Sequence, residues 1–175
     1  MLKKIGLTLL VIIIGILGYA ATRPSSFSVQ RAVTIEAPPE KLFAMIDDFH
    51  AWPQWSPWAR IDPAMKVTYS GPPSGVGAVY EWSGNSKVGS GRMEIMQTTP
   101  STRVQIQLDF MAPMASHNMA VFTLTPRGDS TTVEWTMSGP LPYAAKLMTI
   151  FAPMDKMIGP DFERGLAAMR IVAER

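Results

Sequence analysis

From Phe27 to Glu36 apolar and polar residues alternate. Phe27, Val29, Val33 and Ile35 fall on one face, and Ser28, Gln30, Thr34 and Glu36 on the other. That is the period of a half-buried strand. Ala37-Pro38-Pro39 ends it, and Pro39 suits the first turn of a helix running to about Asp48, with Leu42, Phe43 and Ile46 inside. From Met65 onward the pattern is strand after strand: Met65–Ser70, Ala78–Ser83, Val88–Thr98, Thr102–Met111, Ser116–Thr125 and Thr131–Ser138. Turn signals separate them, among them Gly71-Pro72-Pro73-Ser74-Gly75, Gly84-Asn85 and Pro126-Arg127-Gly128-Asp129. Gly89 and Gly91 fall inside one of these strands, where they read as a bulge or bend that curves the sheet. With the first strand this makes seven, and hairpin-length links make the sheet antiparallel.

The last third changes period. Leu147, Phe151, Met154, Ile158, Phe162, Gly165, Met169 and Val172 recur at three- and four-residue steps, one face of a helix. Pro153 and Pro160 should each kink it, but neither resets the phase of the stripe. Such a stripe needs a large apolar surface, and the sheet supplies it. The expected fold class is α+β: a curved seven-stranded antiparallel sheet, two small helices after its first strand, and a long C-terminal helix gripped by the sheet.

Residues 1–22 differ in kind. Lys3 and Lys4 precede eighteen uncharged residues, Ile5–Thr22, and Arg23-Pro24 closes the run. As a helix these span roughly 27 Å, enough to cross a bilayer core. The expected organisation is a membrane anchor over 1–22, a linker over 23–26 and the folded domain over 27–175. Lysines on the short side predict a cytoplasmic N-terminus with the domain outside, periplasmic or extracellular. A cleaved signal peptide is the competing reading, since Gly18-Tyr19-Ala20 supplies small residues for a cut and would leave a secreted domain. The apolar run continues through Ile16-Leu17, which favours retention.

Charge narrows the partners. The net charge is +2, but from Arg23 onward fourteen Lys and Arg face fourteen Asp and Glu. A formally neutral domain with no basic stripe argues against nucleic acid. With no cysteine and two histidines, His50 and His117, neither disulfides nor a metal centre is expected, and no cofactor is implied.

The stretch Trp52-Pro53-Gln54-Trp55-Ser56-Pro57-Trp58 places three tryptophans on one side of a short helical turn. It reads as a plug closing the open end of the sheet, with an aromatic wall at a ligand entrance as the alternative. His50 reads as a helix-end residue. Gly75-Val76-Gly77 and Gly89-Ser90-Gly91 neither open a helix nor precede Lys-Ser/Thr, so they are turns rather than phosphate loops.

Element order and local words together resemble a known group. Val33-Thr34-Ile35-Glu36-Ala37-Pro38-Pro39-Glu40-Lys41-Leu42-Phe43 and the tryptophan stretch look like the opening of the bacterial polyketide cyclase/dehydrase-like branch of the START-like, or Bet v 1-like (SRPBCC), superfamily. So do Gly75-Val76-Gly77 with Tyr80 to Trp82, and Met154-Asp155-Lys156-Met157-Ile158-Gly159 with Asp161-Phe162-Glu163-Arg164-Gly165-Leu166. The resemblance covers about residues 27–175. It implies the helix-grip fold, in which sheet and helix enclose an apolar cavity. Lipid carriers, hormone binders, cyclases and chaperone activators share this fold, so it does not by itself assign an activity.

On that fold the expected ligand-lining residues are Trp82, Met93, Phe122, Trp135, Met137, Met154, Ile158 and Phe162. Thirteen methionines, among them Met111, Met114, Met119, Met148 and Met157, suit either an adaptable wall or the filling of an irregular core. Asp155 and Asp161 fall to either side of the helix stripe, at the cavity's shoulders, and Arg92 on the central strand is a candidate partner. Rim salt bridges are the simpler reading of both aspartates. The expected function is a membrane-tethered binding domain for a hydrophobic small molecule or lipid. A cyclase or dehydrase using the same cavity, and a surface-acting interaction module with a filled core, are the alternatives.

Overall fold

The apolar N-terminal run is helical in the computed structural model, which describes residues 2–175: helix α1 spans Leu2–Thr22. It is long and apolar enough to cross a membrane, and almost none of it is buried against protein. After three linking residues the first strand begins. The sheet comprises β1 (Ser26–Ile35), β2 (Lys66–Ser70), β3 (Val79–Ser83), β4 (Ser90–Thr99), β5 (Arg103–Ala112), β6 (Ser116–Arg127) and β7 (Ser130–Pro140). Their order is β1-β7-β6-β5-β4-β3-β2, antiparallel throughout, so β1 and β2 are the edges. Helix α2 (Pro39–Asp47) and two 3-10 turns, Phe49–Gln54 and Pro57–Arg60, fill the link from β1 to β2.

The bend expected at the glycines is present at Gly91, where the β4–β5 register shifts between Ser90 and Gly91. Gly89, expected inside the strand, instead lies in the β3–β4 turn just before β4, with φ +64°. A Cβ on Gly91 would lie 2.4 Å from the Trp82 ring and 2.5 Å from the Asp109 carbonyl oxygen. Glycine there lets the two strands and an indole approach across the curve.

The C-terminal stripe holds over two-thirds of its expected length and fails at its start. Pro153 does not merely kink the helix. It ends α3 (Tyr143–Phe151) and caps a separate helix, α4 (Met154–Ala173). Proline lacks the donor a continuing helix needs and pushes the residue before it out of helical geometry, as Ala152 at φ −131°, ψ 83° displays. Phe151, placed on the stripe by its spacing, is consequently 76% exposed. Pro160 has a different outcome and lies within α4. Gly159, which precedes it, has no Cβ to clash with the proline ring. Along α4 the stripe is real: Phe162, Gly165 and Met169 are buried against the sheet, with Ile158 and Val172 half-buried.

The core is densest at the end of the sheet far from α1. There Ile35, Leu42, Ile46, Phe49, Trp55, Phe122, Leu124 and Met169 are almost wholly buried. At the edge of this region Asp47 has a buried Oδ1 with no hydrogen-bond partner. Burial, and then the neighbouring Asp48 charge, push its carboxyl above the ordinary value of 3.8. A raised native value favours the fold below the unfolded value and weakens it as pH rises through the native one. Asp47→Asn should therefore raise the urea midpoint at pH 7, with the gain vanishing as pH falls below 3.8. An equal or lower midpoint at pH 7 would contradict this account.

Candidate functional site

Strand parity decides which side chains face α4. Trp82 of β3, Met93 of β4, Leu108 and Phe110 of β5, Asn118 and Ala120 of β6, and Trp135 and Met137 of β7 share the concave face. From the other side come Met154, Met157, Ile158, Asp161 and Phe162 of α4. Between them lies a cavity of about 480 Å³, within the usual size of small-molecule sites, about 300–1,000 Å³.

The tryptophan stretch both fills and walls this space. Trp52 donates its indole N–H to the Ile46 carbonyl at 3.0 Å, and Trp55 donates to Met45 at 2.9 Å. Trp55 and Phe122 pack edge to face behind the cavity with centroids 6.0 Å apart. Trp52 and Trp58 form part of its wall, whereas Trp55 is not among the lining residues. Trp135 and Phe162 of the wall belong to a three-ring stack that continues behind it: Trp135 lies 4.0 Å and 7° from Phe162 and 4.8 Å and 28° from Phe122.

Seven of the eight residues expected to line a cavity do line this one: Trp82, Met93, Trp135, Met137, Met154, Ile158 and Phe162. Phe122 is the exception and does not line it. It has the right parity, but Trp52 and Trp55 cover it, and it is wholly buried behind the wall. Tyr80, Leu108, Phe110 and Asn118 also line the cavity and were not among the expected residues. Leu108, Phe110 and Asn118 carry the inward parity of their strands, which was a usable signal.

The polar candidates separate. Asp161 lies in the cavity wall and bonds Arg164 one turn on. Arg92 does not reach the cavity, because its neighbours Gly91 and Met93 take the inward parity. It lies on the opposite face, paired with Glu94 at 2.7 Å. Asp155 is also outside, 61% exposed, and its partner is Arg31. Arg31 has the same parity as Val29 and Val33, an inward-pointing cation on an edge strand. It donates to Asp155 at 2.8 and 3.1 Å and to Glu163 at 2.7 Å. Its guanidinium rests on Gly159, where an added Cβ would lie 2.1 Å from Nη2. The clamp joins β1 to α4 outside the cavity, and the hydrogen bond from Arg31 lowers the Asp155 carboxyl below its ordinary value.

Inside, polar groups are sparse. Asn118, 6% exposed, donates Nδ2 to Ser116 Oγ at 3.1 Å. Trp82 donates to the Val88 carbonyl at 3.0 Å, whereas the buried Trp135 N–H has no partner. Tyr80 is pushed up to about 12, chiefly by burial and then by Tyr69, so it remains a neutral phenol. His50 is a helix-end residue: the Asp48 side chain accepts from its backbone N–H, and its ring stacks on Tyr69 at 4.1 Å. The walls are therefore mainly aromatic, aliphatic and thioether surface, with a few neutral hydrogen-bonding groups and the charged Asp161 and Lys87 among them.

Comparisons with known proteins agree with this architecture. The model of the family described as polyketide cyclase/dehydrase and lipid transport matches residues 26–174. Among solved structures, ginseng (Panax ginseng) major latex-like protein 151 aligns with TM-score 0.62 at 11% identity, covering 87% of this chain and all of that one. A Chromobacterium violaceum protein aligns with TM-score 0.60 at 15% identity, covering 87% and 99%. A Thermobifida fusca protein aligns with TM-score 0.60 at 20% identity, covering 82% and 90%. At these identities the likeness is one of fold. Comparison with curated proteins gives no match.

Proposed function

The chain belongs to the polyketide cyclase/dehydrase and lipid transport family over residues 26–174, and from that premise we propose that it is a membrane-tethered binding domain for an apolar small molecule or lipid. The observation that carries the reading is the cavity of about 480 Å³ between sheet and α4, walled by Trp82, Met93, Trp135, Met137, Ile158 and Phe162. Empty apolar volume on this scale costs stability unless a ligand fills it. The wall offers area for dispersion contacts and a few neutral groups, Asn118 and Ser116 among them, to orient a hydroxyl or carbonyl. Residues 1–22 serve as the tether, with Lys3 and Lys4 in the cytoplasm and the domain on the outer side.

Native mass spectrometry of protein extracted in mild detergent from its own membranes tests both parts. The expected spectrum contains the chain with residues 1–22 attached and an apolar molecule bound. Bare polypeptide with no thermal shift from fatty acids or polycyclic probes would remove the binding reading. A soluble product beginning near Ala21 would remove the tether.

A further inference from the structure

We infer that the cavity opens onto the bilayer itself, with α3 lying in the membrane interface as the lip through which ligand passes; this rests on the tethered-binding reading above. The first observation is connectivity. Only Arg23, Pro24 and Ser25 separate α1 from β1, a span of at most about 10 Å. Ser26 then pairs with Pro140, and the Leu141 N–H donates to the Ser25 carbonyl at 2.7 Å. Pro140, Leu141 and Pro142 are cavity-lining residues. This end of the cavity thus lies beside the point where the chain leaves the apolar helix. The dense core and the C-terminal end of α4 lie at the opposite end, near Ile35 and Glu36.

The second observation is α3. It packs on the outer end of α1, where the Tyr143 hydroxyl donates to the Leu17 carbonyl at 2.9 Å and Lys146 Nζ donates to Ser25 Oγ at 3.0 Å. Leu17 lies five residues before the end of α1, so that contact reaches about 7–8 Å below the helix end. Interfacial helices bury their apolar faces to a similar depth, about 5–10 Å. Among its nine residues Thr149 alone is buried, although the sequence Tyr-Ala-Ala-Lys-Leu-Met-Thr-Ile-Phe is largely apolar. Phe151 is 76% exposed, and Met148 is 53% exposed. Met157 of α4 and Met114 of the β5–β6 turn, both cavity-lining, are likewise 53% exposed.

The third is the margin of the patch. Tyr19 and Arg23, in cation–π contact at 5.9 Å, mark the outer end of α1. Lys146 on α3 bonds Ser25 at the same end of the domain, and Lys87 lies in the cavity wall. Aromatic and basic residues of this kind settle at headgroup level. The exposed apolar surface of α1 therefore continues through α3 to the mouth, and an apolar ligand moves between acyl chains and cavity without crossing water.

The chain has no cysteine, so single substitutions give unique labelling sites. Nitroxides at Met148→Cys, Phe151→Cys and Met114→Cys, in the full chain reconstituted into phosphatidylcholine vesicles with a minority of phosphatidylglycerol, report local depth. The measurement compares collisions with oxygen, which concentrates in the bilayer, and with a water-soluble nickel chelate. All three sites should show an oxygen-to-nickel ratio several-fold above that of Ile171→Cys on the last turns of α4. The three sites come from two separate elements, so a local disturbance of one does not decide the result. Ratios equal to that of Ile171→Cys would overturn the inference. Dipolar broadening between Phe151→Cys labels would also overturn it, because a second copy of the chain would then cover the face. Ile12→Cys distinguishes the two readings: deep in the bilayer while the lip sites are aqueous, it leaves the tether standing and removes the membrane-facing mouth.

Discussion

Trp135→Ala should destabilise the folded domain by about 3–5 kcal/mol, the usual cost of truncating a buried aromatic. Trp135 is 3% exposed and stacks on both Phe162 and Phe122, so it couples α4 to the centre of the sheet. Three more rings meet its edge, Trp55 and Trp58 at 5.7 Å and Trp52 at 6.5 Å. Each aromatic pair contributes about 0.5–1.5 kcal/mol beyond the area it buries. The indole N–H has no partner, so the loss comes from stacking and volume rather than from a hydrogen bond. Trp135→Phe keeps a ring in the stack and removes the unpaired donor, and should cost clearly less than the alanine variant because it leaves a smaller void. Urea unfolding of the full chain in micelles, followed by far-ultraviolet circular dichroism, measures both. Equal losses in the two variants would show that the stack is not what holds α4.

Ile158→Trp should leave the fold intact and abolish ligand response. Ile158 is half-buried on the cavity side of α4, so the larger ring has empty volume to enter. In the unsubstituted chain, an apolar ligand at a hundredfold excess over its Kd should add about 2.7 kcal/mol of stability by mass action. The variant should melt close to the parent and gain nothing from fatty acids or polycyclic probes. If the space were already filled, the added ring would instead cost about 1–3 kcal/mol through overpacking. That result, with a parent that ignores every probe, would favour a filled interaction module over a carrier.

Much of this site was legible because strand parity is a local property. Trp82, Met93, Trp135 and Met137 each sit among alternating apolar residues, and every one lines the cavity. Arg31 was not among the expected site residues, although it occupies the inward position between Val29 and Val33, where a charge is a signal in its own right. Arg92 occupies the outward position between Gly91 and Met93, so the same rule argued against its place in the cavity. Parity says nothing about depth. Phe122 and Trp135 point the same way from paired strands, yet one is covered by Trp52 and Trp55 and the other meets the cavity.

By itself the sequence determined the seven strands, the antiparallel order of hairpins, the apolar run before Arg23, and the face of α4 that is buried. Each follows from a repeat of two or 3.6 residues, or from a run of uncharged ones, and these act over a few neighbouring positions. Tertiary structure decided the rest. Pro153 and Pro160 are the same residue in similar helical patterns. One ends α3 after the non-glycine Ala152; the other is accommodated after Gly159, on a stretch of helix held down by Arg31 and Phe162. The partner of Asp155, the hollow beside a filled core and the nearness of cavity-lining Pro140 to the end of α1 all depend on residues more than a hundred positions apart meeting in space, as Arg31 and Asp155 do at a separation of 124. Such contacts depend on the strand order and the sheet's curvature, for which periodicity along the chain has no term.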